Sequence, residues 1–68
     1  MTNKSDFEFV LYYKGKRVKI MFFKSSLLRA LKKARSLLDP KKCDCIEIYR
    51  DDLFNRTWIK EYSLATHI

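Results

Sequence analysis

The fold follows from one stretch, Ser25–Leu38, which reads SSLLRALKKARSLL. Its apolar positions recur at steps of three and four residues, the spacing of one helix face: Leu27, Leu28, Leu31, Ala34, Leu37 and Leu38. A serine at the start can accept a free backbone N–H, and Asp39-Pro40 ends the helix because the residue before proline leaves the α region. The stretch therefore predicts one helix whose leucines cover a sheet.

Two strands are predicted before the helix, over Asp6–Tyr13 and Arg17–Phe23, because apolar and polar residues alternate in both. Lys14-Gly15 between them predicts a two-residue turn, since glycine adopts the positive φ that such a turn needs. This turn implies that the inward pairs are Phe7 with Phe22, Phe9 with Ile20, and Leu11 with Val18. The outward pairs would then be Glu8 with Met21, Val10 with Lys19, and Tyr12 with Arg17.

Two more strands are predicted after the helix, over Cys45–Tyr49 and Thr57–Leu64, with a polar loop between them. The alternation in the last strand permits two orientations. The size of Trp58 and Tyr62 favours their placement in the core, because aromatic side chains dominate small cores. Lys60 lies between them in the sequence and argues for the opposite orientation.

The element order is hairpin, helix, hairpin, which predicts an α+β fold of the ββαββ type. If the helix crosses back over the sheet, the third strand can pair antiparallel with the first. The expected result is one antiparallel four-stranded sheet in the order 2-1-3-4, with the helix on one face and the other face open. With 68 residues the chain is expected to form a single domain whose ends, 1–5 and 65–68, fray.

The composition and charge argue against some classes of protein and favour others. A hydrophobic fraction of 47% argues against disorder, while no apolar run approaches the roughly 20 residues that span a bilayer. The polar N-terminus does not resemble a signal peptide, so a cytoplasmic location is expected. The net charge is +7, and the helix with its exit carries most of the excess. This layout favours an anionic partner, although a solvated helix face explains it equally well.

Few residues suggest catalysis or metal binding, so we expect neither an enzyme nor a cofactor. Cys43 and Cys45 predict reduced structural thiols, because a zinc site needs about four ligands and His67 is the one further soft ligand. His67 lies near the chain end, which seldom holds a catalytic base rigidly. The acids that could suggest a magnesium site are better explained as turn formers and solvated charges: Glu47, Asp51, Asp52 and Glu61.

Two functional hypotheses remain, and both describe binding without catalysis. The first is a module that contacts the phosphates of DNA or RNA through the basic helix face, with a contribution from the open sheet face. Its predicted contact residues are Lys24, Arg29, Lys32, Lys33, Lys41, Lys42, Arg17 and Lys19.

The second hypothesis is a small regulator or inhibitor of the kind that viruses and mobile elements encode, acting on a protein target. It would use the open sheet face or a sheet edge, which could also form a homodimer. Its predicted contact residues are Tyr12, Val10, Met21 and Tyr49. A membrane-surface role for the helix is set aside, because the sheet needs the leucine face as its cover.

Overall fold

The computed structural model describes residues 4–52 and 54–64. Its elements are β1 (Ser5–Tyr13), β2 (Lys16–Ser25), α1 (Leu27–Ser36), β3 (Cys45–Asp51) and β4 (Arg56–Ser63). The strands form one antiparallel sheet in the order β2-β1-β3-β4. The predicted α+β fold and strand order are confirmed. The expected fraying of residues 1–3 and 65–68 lies outside the described residues, whereas Ser5 already belongs to β1.

The helix α1 packs on the sheet through small residues. Ser26 is its N-cap, and the Ser26 hydroxyl accepts a hydrogen bond from the Arg29 N–H at 3.4 Å. Ala30 and Ala34 are fully buried, which lets the helix backbone approach the strands closely. Leu31, Leu37 and Leu38 are partly buried and pack against the same core.

Two of the predicted covering leucines lie elsewhere. Leu27 and Leu28 are 47% and 73% exposed, so their assignment to the core was wrong. Leu28 precedes the buried Ala30 by two residues, which places it about 200° away around a helix with 3.6 residues per turn. The buried stripe is therefore narrower than the leucine spacing suggested.

The first hairpin turns where predicted, but its register changes next to the turn. Lys14 and Gly15 have φ of 51° and 80°, the left-handed values of a two-residue hairpin turn. Tyr12 pairs with Arg17, as expected, whereas Leu11 pairs with Lys19, so the strand bulges at Val18. The predicted pairs Phe7–Phe22, Phe9–Ile20 and Leu11–Val18 are wrong. The observed pairs are Phe7–Phe23, Phe9–Met21, Val10–Ile20 and Leu11–Lys19.

The bulge exchanges the two faces of β2, because one extra residue moves every later side chain to the opposite side. Lys19, Met21 and Phe23 consequently lie on the helix side. Ile20 and Phe22 lie on the other side and are 39% and 72% exposed. Since β2 carries apolar residues at consecutive positions, its alternation alone permitted either arrangement.

A second bulge divides β4. Ile48 pairs with Lys60 and Tyr49 pairs with Trp58, which leaves Ile59 as the additional residue. Tyr62 packs against the core, as predicted. Trp58 lies on the opposite side and is 55% exposed, so the prediction of a core position for Trp58 was wrong.

The two central strands supply most of the core. Its buried members are Phe7, Phe9, Leu11, Ala30, Ala34, Cys43, Ile46 and Ile48. The edge strands add partly buried side chains at its margin, among them Met21, Phe23 and Tyr62. The core therefore lies between α1 and the sheet, and the second face of the sheet has no helix over it among the described residues.

Candidate interaction surfaces

The strand register arranges the uncovered side of the sheet in four rows, since directly paired residues of an antiparallel sheet share a face. We name this surface the open face. Written in the order β2, β1, β3, β4, its rows are Lys24, Asp6, Asp51, Arg56; Phe22, Glu8, Tyr49, Trp58; Ile20, Val10, Glu47, Glu61; and Arg17, Tyr12, Cys45, Ser63.

A polar network joins three strands across the open face. Glu47 Oε1 accepts hydrogen bonds from the hydroxyls of Tyr12 and Tyr49, at 2.8 Å and 3.1 Å. The Arg56 guanidinium carbon lies 3.7 Å from the centroid of the Tyr49 ring. Arg56 Nη2 also donates to Glu8 Oε2 at 2.8 Å. These contacts hold aromatic and charged groups in defined positions without help from the helix.

Both tyrosines of this network remain proton donors at neutral pH. The hydrogen bond to Glu47 raises the pKa of Tyr12, with a smaller contribution from burial. Burial raises the pKa of Tyr49, and its hydrogen bond to Glu47 adds to the effect. In both cases ionisation would place a phenolate beside a carboxylate.

Exposed apolar side chains lie on both outer strands of the open face. Phe22 on β2 and Trp58 on β4 belong to one row and are 72% and 55% exposed, and Ile20 is 39% exposed. Three strand spacings of about 4.8 Å separate the positions of Phe22 and Trp58 by about 14 Å. Large apolar side chains grouped on a polar surface are typical of a protein-interaction site.

Three of the four residues predicted for partner binding lie on the open face: Tyr12, Val10 and Tyr49. Val10 is only 3% exposed, however, so it offers little surface to a partner. Met21 lies on the helix side and packs against the core, so its predicted position on the open face was wrong. The sequence left both orientations of Trp58 open, and its interpretation missed Phe22 and Ile20. One signal for them was present, because the run Ile20–Phe23 cannot place all its side chains on one face.

The predicted nucleic-acid contacts are divided between the two sides of the molecule. Arg29, Lys32 and Lys33 are exposed on α1, and Lys41 is exposed in the loop that follows it. Lys19 and Lys42 line a groove between β2 and the end of the helix.

Two of the predicted positions need correction and one is as expected. Lys24 was assigned to the helix stripe, but the register places it on the open face opposite Asp6. Lys19 was assigned to the open face, but the Val18 bulge moves it to the helix side. Arg17 lies on the open face opposite Tyr12, as predicted.

Acidic residues are distributed unequally between the two sides of the sheet. Five acids occupy open-face positions: Asp6, Glu8, Glu47, Asp51 and Glu61. The other three acids of the chain, Asp39, Asp44 and Asp52, lie between elements. Within residues 4–52 and 54–64, neither α1 nor any helix-side strand position carries an acid. Asp39 lies near this side, since it lines the groove with Lys19 and Lys42. In the described ranges the helix-side positions of the strands and α1 are thus free of acids, whereas the open face combines carboxylates and aromatic rings with three bases, Arg17, Lys24 and Arg56.

Two basic side chains lie against the Tyr62 ring on the helix side. Lys60 Nζ lies 5.1 Å and Arg35 Cζ lies 5.8 Å from the centroid of the Tyr62 ring. Such cation–π contacts fix long basic side chains against the sheet.

Cys43 and Cys45 are both free thiols. Burial raises the pKa of Cys43, and burial followed by the nearby Glu61 carboxylate raises the pKa of Cys45 to about 11. Both thiols are therefore protonated and weakly nucleophilic at neutral pH. In the described ranges no group of three or more His, Cys, Asp or Glu side chains could hold a metal ion. His67 lies outside those ranges.

No protein-family model, curated protein or solved structure matches this chain. No helix within residues 4–52 and 54–64 is long and apolar enough to cross a membrane. The functional interpretation therefore rests on the two surfaces described above.

Proposed function

We propose that this protein is a non-catalytic module that binds the phosphate backbone of nucleic acid through the helix side. The observation that carries the proposal is the absence of acids from α1 and from the helix-side strand positions in the described ranges, where Arg29, Lys32 and Lys33 are exposed on α1. Lys19, moved there by the bulge, extends the basic surface along β2. A cationic surface without carboxylates attracts phosphates and does not by itself select a base sequence.

The open face is poorly suited to nucleic acid, so the proposal names the helix side as the binding side. Five carboxylates on the open face repel phosphates, so Tyr49 and Trp58 are poor stacking platforms for a nucleic acid despite their exposure. We therefore assign DNA or RNA to the helix side alone and no longer include the sheet face in this function.

Fluorescence anisotropy with labelled duplex DNA and single-stranded RNA at several salt concentrations tests the proposal. We compare Lys32→Gln/Lys33→Gln with Arg17→Gln/Lys24→Gln, which removes the same charge from the open face. The logarithm of affinity should fall by about 0.9 for each contacted phosphate per tenfold rise in salt on duplex DNA. The helix-side pair should reduce that slope, and the open-face pair should leave it unchanged. Equal losses, or no binding at low salt, would contradict the proposal.

A second function, binding to a protein target as a regulator or inhibitor, is favoured by the exposure of Phe22 and Trp58 in one row of the open face. Light scattering and pull-down from host extract with and without nuclease would test it. Phe22→Ser should abolish nuclease-resistant partners or self-association. Leu28→Ser is the matched control, because Leu28 and Phe22 are 73% and 72% exposed on opposite sides. Equal effects of the two variants would count against the open face.

A cytoplasmic location belongs to the same proposal. It is supported by the two free thiols, Cys43 and Cys45, which persist in a reducing compartment. Thiol titration of protein isolated rapidly from its host would test this. Two reactive thiols per unfolded chain are expected, and fewer would argue for an oxidising compartment.

A further inference from the structure

We infer that the open face docks a protein segment that carries an arginine or lysine between apolar side chains. The inference rests on the second proposed function, binding of a protein target, and adds the chemistry of that target. The base would lie between Glu47 and Glu61, while the apolar side chains contact the exposed residues on the outer strands.

The Glu47–Glu61 pair has no base in its row. These two residues are directly paired on β3 and β4, where Cβ atoms lie about 4.5–5.5 Å apart. The same row continues with Val10 and Ile20, which are apolar. Like charges directly opposite one another destabilise a sheet, and a cation between them removes that repulsion. This row therefore favours binding of a positively charged group from a partner.

The neighbouring row shows how this face holds a guanidinium. Arg56 stacks on Tyr49 at 3.7 Å and donates to Glu8 at 2.8 Å, which combines an aromatic ring with a carboxylate. This is the one ion pair within residues 4–52 and 54–64. Glu47 also combines a carboxylate with neighbouring aromatic side chains, because it accepts hydrogen bonds from the hydroxyls of Tyr12 and Tyr49. A base from a partner would complete an arrangement that the chain already makes once.

The apolar residues set the rest of the partner's character. Phe22 and Ile20 are exposed on β2, and Trp58 is exposed on β4, the strand that carries Glu61. Apolar contacts are therefore offered across the sheet from the two carboxylates and in the next row beside them. A polyanion fits neither the carboxylates nor this apolar margin. A basic polypeptide segment with apolar flanks satisfies both the charge and the shape of the surface.

The full chain can be tested with three synthetic peptides of equal length, in which leucine alternates with arginine, serine or glutamate. Trp58 is the single tryptophan, so its fluorescence reports directly on the open face. Backbone amide shifts in two-dimensional NMR spectra locate the contact. The arginine peptide should bind most tightly and the glutamate peptide least, with shifts confined to the open-face rows.

Charge variants identify the proposed position. Glu61→Gln combined with Glu47→Gln, which retains an oxygen acceptor for the tyrosines, should weaken the arginine peptide at least about tenfold, or about 1.4 kcal/mol. Asp52→Asn with Asp44→Asn removes the same charge outside the open face and should have little effect. Circular dichroism establishes that each variant remains folded.

The outcomes distinguish this inference from the function on which it rests. Equal binding of the arginine and serine peptides would support a protein-binding open face and overturn the inference about charge. Failure of all three peptides to shift open-face resonances would overturn both. Movement of helix-side resonances, or displacement of the arginine peptide by duplex DNA, would assign the site to nucleic acid and also overturn the inference. Concentration-dependent self-association that the arginine peptide does not reverse would assign the face to a second copy and likewise overturn it.

Discussion

Phe9 and Phe23 pack with their ring centroids 5.9 Å apart and their planes inclined by 35°. This contact accompanies the observed register of the first hairpin, in which Phe23 rather than Phe22 lies on the helix side of the sheet. Phe22 is consequently 72% exposed on the open face. Two adjacent phenylalanines thus lie on opposite sides of the sheet, one packed against the core and one exposed on the open face.

Alanine substitutions at these two positions should differ strongly in their effect on stability. Phe23→Ala should reduce the free energy of unfolding by about 2–3 kcal/mol, because a partly buried ring leaves the core. Phe22→Ala should change it by less than about 0.5 kcal/mol, as expected of an exposed residue. Urea denaturation followed by circular dichroism measures both. A larger loss of unfolding free energy for Phe22→Ala than for Phe23→Ala would instead support the register predicted from the turn.

The narrow buried stripe of α1 predicts that substitutions at a buried and at an exposed helix position differ in their effect on stability. Ala30 is fully buried, so Ala30→Leu should overfill the space beneath the helix and cost about 1–3 kcal/mol of unfolding free energy. Leu28→Ala should stay within about 0.5 kcal/mol, because Leu28 is 73% exposed. Thermal unfolding of both variants tests this. A strong effect of Leu28→Ala would mean that the helix is rotated relative to the sheet.

Substitutions in the Lys14-Gly15 turn should lower stability at one position and raise it at the other. Gly15→Ala should destabilise the hairpin by about 1 kcal/mol, since φ is 80° at Gly15 and an L side chain is strained there even with open space around it. Lys14→Asn should raise the midpoint of urea unfolding, because asparagine tolerates positive φ better than lysine does. Lys16→Asn, outside the turn, is the control and should not raise it.

Stability should fall at alkaline pH because of the open-face thiol. The folded pKa of Cys45 is about 11, above the ordinary thiol value of 9.0, as burial and then Glu61 disfavour the thiolate. A raised folded pKa means that the stabilising contribution is complete below about pH 9 and is lost as the pH rises through about 11. The raised pKa values of Tyr12 and Tyr49 act in the same direction. Urea unfolding at a series of pH values measures the decline.

Cys45→Ser separates the thiol from the tyrosines in this experiment. Serine does not ionise in the range, so the variant should lose less stability between pH 9 and 11 than the native chain loses. Cys43→Ser controls for removing a thiol in general, although it also replaces a buried core residue. An unchanged alkaline slope in Cys45→Ser would assign the decline to other groups.

Local signals in the sequence determined the element order, the helix and the fold class. The leucine spacing, the Lys14-Gly15 turn and the Asp39-Pro40 stop each depend on a few neighbouring residues. The central strands were also predictable on both faces, because β1 and β3 alternate without a bulge inside the core. Tyr12, Val10 and Tyr49 were therefore correctly placed on the open face.

Only the tertiary structure decided which way the edge strands present their side chains. A single extra residue at Val18 or Ile59 reverses the alternation that follows it, and the local pattern of β2 and β4 accommodates either result. The choice is made by burial against β1, β3 and α1, which are distant in sequence. This is why Phe22 and Trp58 lie on the open face, and why Lys19 lies on the helix side.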